Sequence, residues 1–327
     1  MYQKFSTVQL KSGETMEVGV VHAPEPPLKD SIRELLKHKG GVWTWHVEKS
    51  MTEKLDDLET RYHIGLLGDT PITNVMTVEY KGVGILGHVF TRPEHRRKGA
   101  CQAIFQELMP RFRERGGRLL HLGTGFNSPA YWIYHSFGFR GLAEGSGHMR
   151  YEAVPNAEHD LFLPAPATVT DVLWRHWPMM TALTSVKDGD YLRNISYQHF
   201  GPASFEGGFV DMRKSMETEP ARFRCKLLQT PLGAVVGYAM VRPNPHWRGM
   251  VNVVEFFVHP NFAAHAAELL QALPLPPGKA QCFADSGSTE KVKALKECGF
   301  EHEAVLKGQI TAGIDRLDVH VYSKRTS

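Results

Sequence analysis

The chain has 327 residues, 42% apolar and 22% charged, with a net charge of +3. That length predicts two domains of about 150 residues each, and so small a charge excludes an extended nucleic-acid surface. The four cysteines (Cys101, Cys225, Cys282, Cys298) have neither metal-knot nor disulfide spacing, and no apolar run reaches spanning length or forms a signal core. These features predict a soluble, cytoplasmic protein kept off the membrane.

In chain order, residues 17–22 read as a first strand. Residues 28–39 and 47–60 read as helices separated by Gly40-Gly41. Strands are predicted over 62–67 and 75–80, with Gly68-Asp69 as a hairpin turn, and over 83–91. Residues 98–114 place Ala100, Ile104, Leu108 and Phe112 on one helical face, with Pro110 expected to bend or shorten that helix. A strand at 118–122, a helix at 129–137 and a strand at 148–153 complete the first half. Prolines 155, 164 and 166 mark a linker over 154–167.

The second half repeats this order: a helix over 168–185, strands at 222–229, 234–241 and 251–259, and a helix at 263–273. A strand at 281–284, a helix at 288–297 and a strand at 317–322 follow. Gly138-Phe139 aligns with Gly299-Phe300, and Pro93 with Pro260. In that frame Arg96, Arg97, Lys98 and Gly99 face Ala263, Ala264, His265 and Ala266. Tyr134 faces Leu295, and Asn127 faces Ser288.

The charge excess is local. Residues 1–156 hold 20 Lys/Arg against 17 Asp/Glu, whereas the remainder is balanced at 18 and 18. Arg92, Arg96, Arg97 and Lys98 gather where an apolar strand turns into an amphipathic helix. A glycine-bearing basic turn at a helix start presents free backbone N–H groups and the positive end of the helix dipole to an anion. Downstream, Asn127-x-x-Ala130-x-x-x-Tyr134-x-x-x-Gly138-Phe139 puts a phenol on a short helix. Together they suggest group transfer from a phosphate-bearing donor.

These segments resemble motifs A and B of the GNAT superfamily of acyl-CoA-dependent N-acyltransferases. Motif A there reads Arg/Gln-x-x-Gly-x-Gly/Ala; here it is Arg96-Arg97-Lys98-Gly99-Ala100-Cys101, with cysteine where the family prefers glycine or alanine. The resemblance implies an α/β fold of two tandem GNAT-like domains, each a twisted, mostly antiparallel sheet flanked by helices. Residues 1–156 would be catalytic and 157–327 a degenerate copy without cradle or phenol. It implies acetyl-CoA, or another acyl-CoA, as cosubstrate. The donor arm would lie along Phe90, Thr91 and Arg92 with help from Asn127. The pyrophosphate would lie on Arg96, Arg97, Lys98, Gly99, Ala100 and Cys101, with no metal required.

Tyr134 occupies the family's position for the acid that protonates the leaving sulfur. Many relatives carry a glutamate base near the position of Gly87, which can move no proton. His88, Glu79, His121, a water relay or an already neutral amine remain open for that role. The expected partner is a small-molecule or peptide amine, bound by a monomer or homodimer. Trp43-Thr44-Trp45-His46, read as a loop, could wall its pocket. Cys101 at a helix start would have a lowered thiol pKa, but a small residue is wanted there for packing. Two other readings compete: an acyl-CoA sensor without turnover, and a second half that serves as a protein-interaction module.

Overall fold

The computed structural model describes residues 2–24 and 28–327. The chain forms two compact units, one of Met1–Ala157 with Leu173–Pro178, the other of Glu158–Val172 with Met179–Ser327.

The first unit runs β1 (Tyr2–Gln9), β2 (Thr15–His22), α1 (Lys29–Leu36), α2 (Gly41–Thr52), β3 (Glu59–Leu67), β4 (Thr70–Tyr80) and β5 (Val83–Thr91). There follow α3 (Ala100–Glu114), β6 (Leu119–Gly123), α4 (Pro129–Ser136), β7 (Arg140–Gly141) and β8 (His148–Glu152). Its eight strands lie in the order β1-β2-β3-β4-β5-β6-β8-β7. Only the β5–β6 pair is parallel. Lys81 and Gly82, at φ 49° and 78°, make the two-residue turn between β4 and β5, a geometry that matches the twist of a hairpin. The apolar face of α3, with Ile104, Phe105, Leu108 and Phe112 fully covered, supplies one side of the core.

The parallel pair is short. β5 meets β6 only over Val83–Ile85 against Leu119–His121, so from Leu86 onward the two strands part. On its other side β5 also slips: its register with β4 shifts between Asn74 and Met76, and His88 on β5 stands at φ 47°. This is a β-bulge beside a fork in the sheet, a combination that redirects a side chain.

In chain order there follow α5 (Ala157–Leu161), β9 (Thr168–Asp171), α6 (Trp177–Ser185), β10 (Leu192–Asn194), β11 (His199–Phe200), α7 (Glu206–Thr218), β12 (Arg224–Gln229) and β13 (Val235–Pro243). The last elements are β14 (Val251–Val258), α8 (Ala266–Gln271), β15 (Gly278–Asp285), α9 (Thr289–Glu297), β16 (Glu301–Ala312) and β17 (Asp315–Thr326). The large sheet of the second unit has the order β16-β17-β15-β14-β13-β12-β9, and β10 and β11 form a separate hairpin. Here too one pair is parallel, β14 with β15 over Val251–Val254 and Lys279–Cys282, and the strands part beyond it. From β2 and β9 onward the two units share one plan: strand, two helices, three antiparallel strands, a forked parallel pair, and two closing strands.

The mixed α/β class and the paired, largely antiparallel sheets are as read from sequence. Several elements are not. The helix expected at 47–60 starts at Gly41 and ends at Thr52, because Gly40 at φ 66° breaks the chain and the helix resumes at once. The expected helix 168–185 opens instead as β9, whose β-branched Thr168, Val169 and Thr170 pair with β12. The helix expected from 263 is a 3-10 segment, Pro260–His265, before α8. The supposed linker holds α5, and β1, α7, β16 and the short β7, β10 and β11 had no expected counterpart. Pro110 neither ends nor shortens α3, which continues to Glu114. Among the described residues no helix is long and apolar enough to cross a membrane.

Candidate functional site

The basic turn sits at the mouth of the β5–β6 fork. Arg96 is extended, then Arg97 at φ 60° and Gly99 at φ 91° turn left-handed and deliver the chain into α3. Gly99 is the N-cap, with no side chain satisfying the first helical N–H groups, so these donors remain available to an anion. No atom lies within 4 Å of where its Cβ would stand, leaving that approach open. Arg97 is exposed. Arg96 donates from Nε to the Thr91 carbonyl at 3.1 Å and lies over the Phe90 ring at 5.8 Å. Lys98 places its ammonium on Glu14 at 2.9 Å and its carbonyl accepts from Lys11 N–H. That lysine therefore ties the turn to the β1–β2 hairpin instead of adding a loose charge.

The expected donor-arm contacts divide. The Phe90 carbonyl accepts from Thr73 Oγ1 at 3.1 Å, and Arg92 donates from its N–H to Ile72 and from Nε to Pro71. Both residues are thus engaged on the β4 side, and strand alternation leaves the main chain of Thr91 facing the fork. Ala100 is buried as the first residue of α3. Burial pushes the Cys101 thiol up to about 12, so the lowering expected from its helix position does not arise and the cysteine fills space.

On α4, Ser128 is the N-cap, its Oγ accepting from Tyr131 N–H at 3.1 Å. Asn127, expected to help hold the donor arm, stands at φ 57° and accepts from Trp132 Nε1–H at 2.8 Å. Tyr134 is 5% exposed and its ring lies against Phe105 and Phe139, with centroids at 5.5 and 6.2 Å.

The three side chains considered as bases have different surroundings. Glu79 accepts two hydrogen bonds from Arg115 at 2.8 and 2.5 Å and one from Thr77 at 2.6 Å, with Arg61 at 3.3 Å, so it is the centre of an ion-pair cluster. His121 is buried on β6 with neither ring nitrogen partnered among the described residues, and burial lowers its pKa to about 3. His88 alone of the three sits on the bulge at the fork. Its Nε2 lies 3.2 Å from Nδ1 of His46, and Trp43 meets its ring edge-on at 5.3 Å. Burial, followed by the nearby His46 and Lys39, holds the His88 ring well below the usual range and therefore neutral.

Trp43-Thr44-Trp45-His46 is the first part of α2, not a loop. His46 turns inward between His88 and the indoles of Trp174 and Trp177. This cluster escaped the sequence reading because its members lie at 43–46, 88 and 174–177. Only the Trp174/Trp177 spacing of three hinted that both rings share a face.

The second unit keeps the fork without the basic turn. His265 and its neighbours are the 3-10 segment where the basic turn would be. Glu255, at the position matching His88, accepts from the N–H groups of Ile195 and Ser196 at 3.0 and 2.8 Å and from the Ser196 hydroxyl at 2.5 Å. A cavity of about 620 Å³ opens there, lined by Asp190, Asp285 and Lys291, among others, but by no arginine.

Residues 64–146 match the FR47-like protein family, which is GNAT-related. That stretch contains the fork, the basic turn and α4. No curated protein matches the chain. Among solved structures it is similar to an N-acetyltransferase from Staphylococcus aureus Mu50, with 13% identity over 49% of this chain and 99% of that one, at a TM-score of 0.39. A GNAT-family acetyltransferase from Streptococcus pneumoniae gives 11% identity over 50% and 100%, at 0.39. The phosphinothricin acetyltransferase of Sinorhizobium meliloti in complex with AcCoA gives 16% over 49% and 89%, at 0.37.

Proposed function

We propose that this chain, whose residues 64–146 form a GNAT-related module, moves a short acyl group from acyl-CoA to an amine at the fork of its first unit. The supporting observation is the left-handed turn at Arg97 and Gly99, which aims the uncapped start of α3 at the mouth of the fork. Backbone donors and an exposed arginine there suit a pyrophosphate without a metal. Thr91 would meet the donor arm. The second unit, lacking turn and phenol, would not bind the donor. The acceptor is read as a small-molecule or peptide amine, and the setting as cytoplasmic.

The amine nitrogen attacks the thioester carbonyl, forming C–N as C–S breaks and its electron pair passes to sulfur. His88 takes the proton lost by the amine. Tyr134 protonates the departing sulfur and recovers its proton from solvent. Holding donor and acceptor together supplies the larger part of the rate.

Calorimetric titration of acetyl-CoA into the wild type and an Arg97→Glu/Gly99→Asp variant tests the assignment. Affinity should fall by roughly 100-fold, about 2.7 kcal/mol, with a cooperative melting transition retained, though lowered by the strain of Asp at φ 91°. A wild type that does not bind acetyl-CoA would overturn the reading.

A further inference from the structure

The two histidines at the fork carry more information than a shared hydrogen bond. A neutral imidazole has one N–H and one bare nitrogen, so a bonded neutral pair has two arrangements. In one, His46 Nδ1–H donates to His88 Nε2. In the other, His88 Nε2–H donates to His46 Nδ1. The 3.2 Å separation fits both. What separates them is the far side of His46.

There Nε2 of His46 is buried and finds no hydrogen-bond partner among the described residues. The ring stands at 79° to Trp177 with centroids 4.8 Å apart, and Trp174 lies at 5.9 Å. Indole faces are negative, so they attract an N–H and repel a nitrogen lone pair. A proton on Nε2 would meet these rings favourably where a lone pair would not, which would leave Nδ1 to accept.

We propose that this tryptophan cage fixes the tautomer of the pair, leaving Nδ1 of His88 bare as the atom that accepts the amine's proton, with His46 as its positioning residue. The inference rests on the acyl-transfer reading. The chemistry closes simply: the amine's proton moves to His88 Nδ1, no bond to His46 breaks, and the proton later returns to solvent. While His88 is an imidazolium, its Nε2–H still donates to His46 Nδ1, which compensates a buried cation. The other groups facing this site are Trp43 on α2, Lys39, whose ammonium donates to the Val89 carbonyl at 3.3 Å, and His38, whose ring lies 4.0 Å from Phe90. Burial, followed by His46, Lys39 and His38, disfavours a resting charge on His88, and His38 is itself held below its usual range by burial.

Long-range nitrogen–proton correlation spectra of the histidine-labelled full chain at pH 7.5 read the tautomers directly. Both His46 and His88 should carry their proton on Nε2, and Trp177→Leu should let His88 populate the other form. A wild-type His88 protonated on Nδ1 would overturn the proposal. With an amine acceptor in hand, His46→Phe should lower kcat about 10- to 100-fold with the acyl-CoA KM unchanged. His46→Gln, whose Oε1 can accept the same N–H, should recover part of that loss. Equal rates for both variants and wild type, with melting transitions intact, would also overturn it. Failure of acetyl-CoA to bind the wild type would sink the transferase reading but leave the tautomer measurement standing.

Discussion

Tyr134 has a packing role and, in the proposed reaction, a chemical one, and the two separate in a single substitution. Its ring lies between Phe105 and Phe139, so Tyr134→Phe keeps the aromatic contacts and removes only the hydroxyl. Turnover should drop by roughly 100-fold, while calorimetry finds acetyl-CoA affinity and the melting transition preserved. Unchanged turnover would remove the acid assignment. The basic turn and this tyrosine were legible because both are short-range patterns: a helix start, a helix face. The differing surroundings of the three base candidates were not, since His88, Glu79 and His121 look alike in a string. Glu79 is ion-paired with Arg115 and Arg61, His121 is buried inside the sheet, and His88 stands on the bulge at the fork. Only three-dimensional neighbours could tell them apart.

Elements with turn signals at both ends came out as read. β5, between Lys81-Gly82 and Pro93, matches its expected residues 83–91. β9 did not, because four residues carry too little pattern and its strand character comes from pairing with β12. Immediately after it, the turn Trp174–His176 is held from far away in sequence. Asp56, at φ 43°, accepts the N–H groups of Trp174 and Arg175 at 2.7 and 2.9 Å. A carboxylate capping a turn in this way stabilises by about 1–2 kcal/mol. Asp56→Ala should lower the urea midpoint accordingly and redden tryptophan emission as Trp174 loosens. An unshifted midpoint would show that the indoles hold the turn unaided.

At the scale of the molecule, burial holds His46, His63, His88 and His121 of the first unit in their neutral form. Burial lowers His46 and His121 to about 3, and His63 and His88 well below the usual value. The unfolded chain titrates them near 6.5, so below that pH it binds more protons than the native state. Their contribution is complete above about pH 7 and is lost as pH falls toward the folded values. With up to four protons taken up, stability should decline by as much as roughly 5 kcal/mol per pH unit below pH 6. Urea midpoints measured from pH 7.5 to 5 should fall steeply. His121→Leu should flatten that slope by about one proton, and an unchanged slope would mean that His121 is charged in the fold.

The first unit is discontinuous along the chain: Leu173–Pro178 belongs to it although β9 of the other sheet comes first. Translation therefore cannot finish one module before beginning the next. The cage around His46 gains its last indole only after Trp177 has been made, with a strand of the second sheet already synthesised. A nascent chain carrying every residue of the fork still lacks one wall of the pocket around His46, and no single cut in the backbone would divide the two units intact.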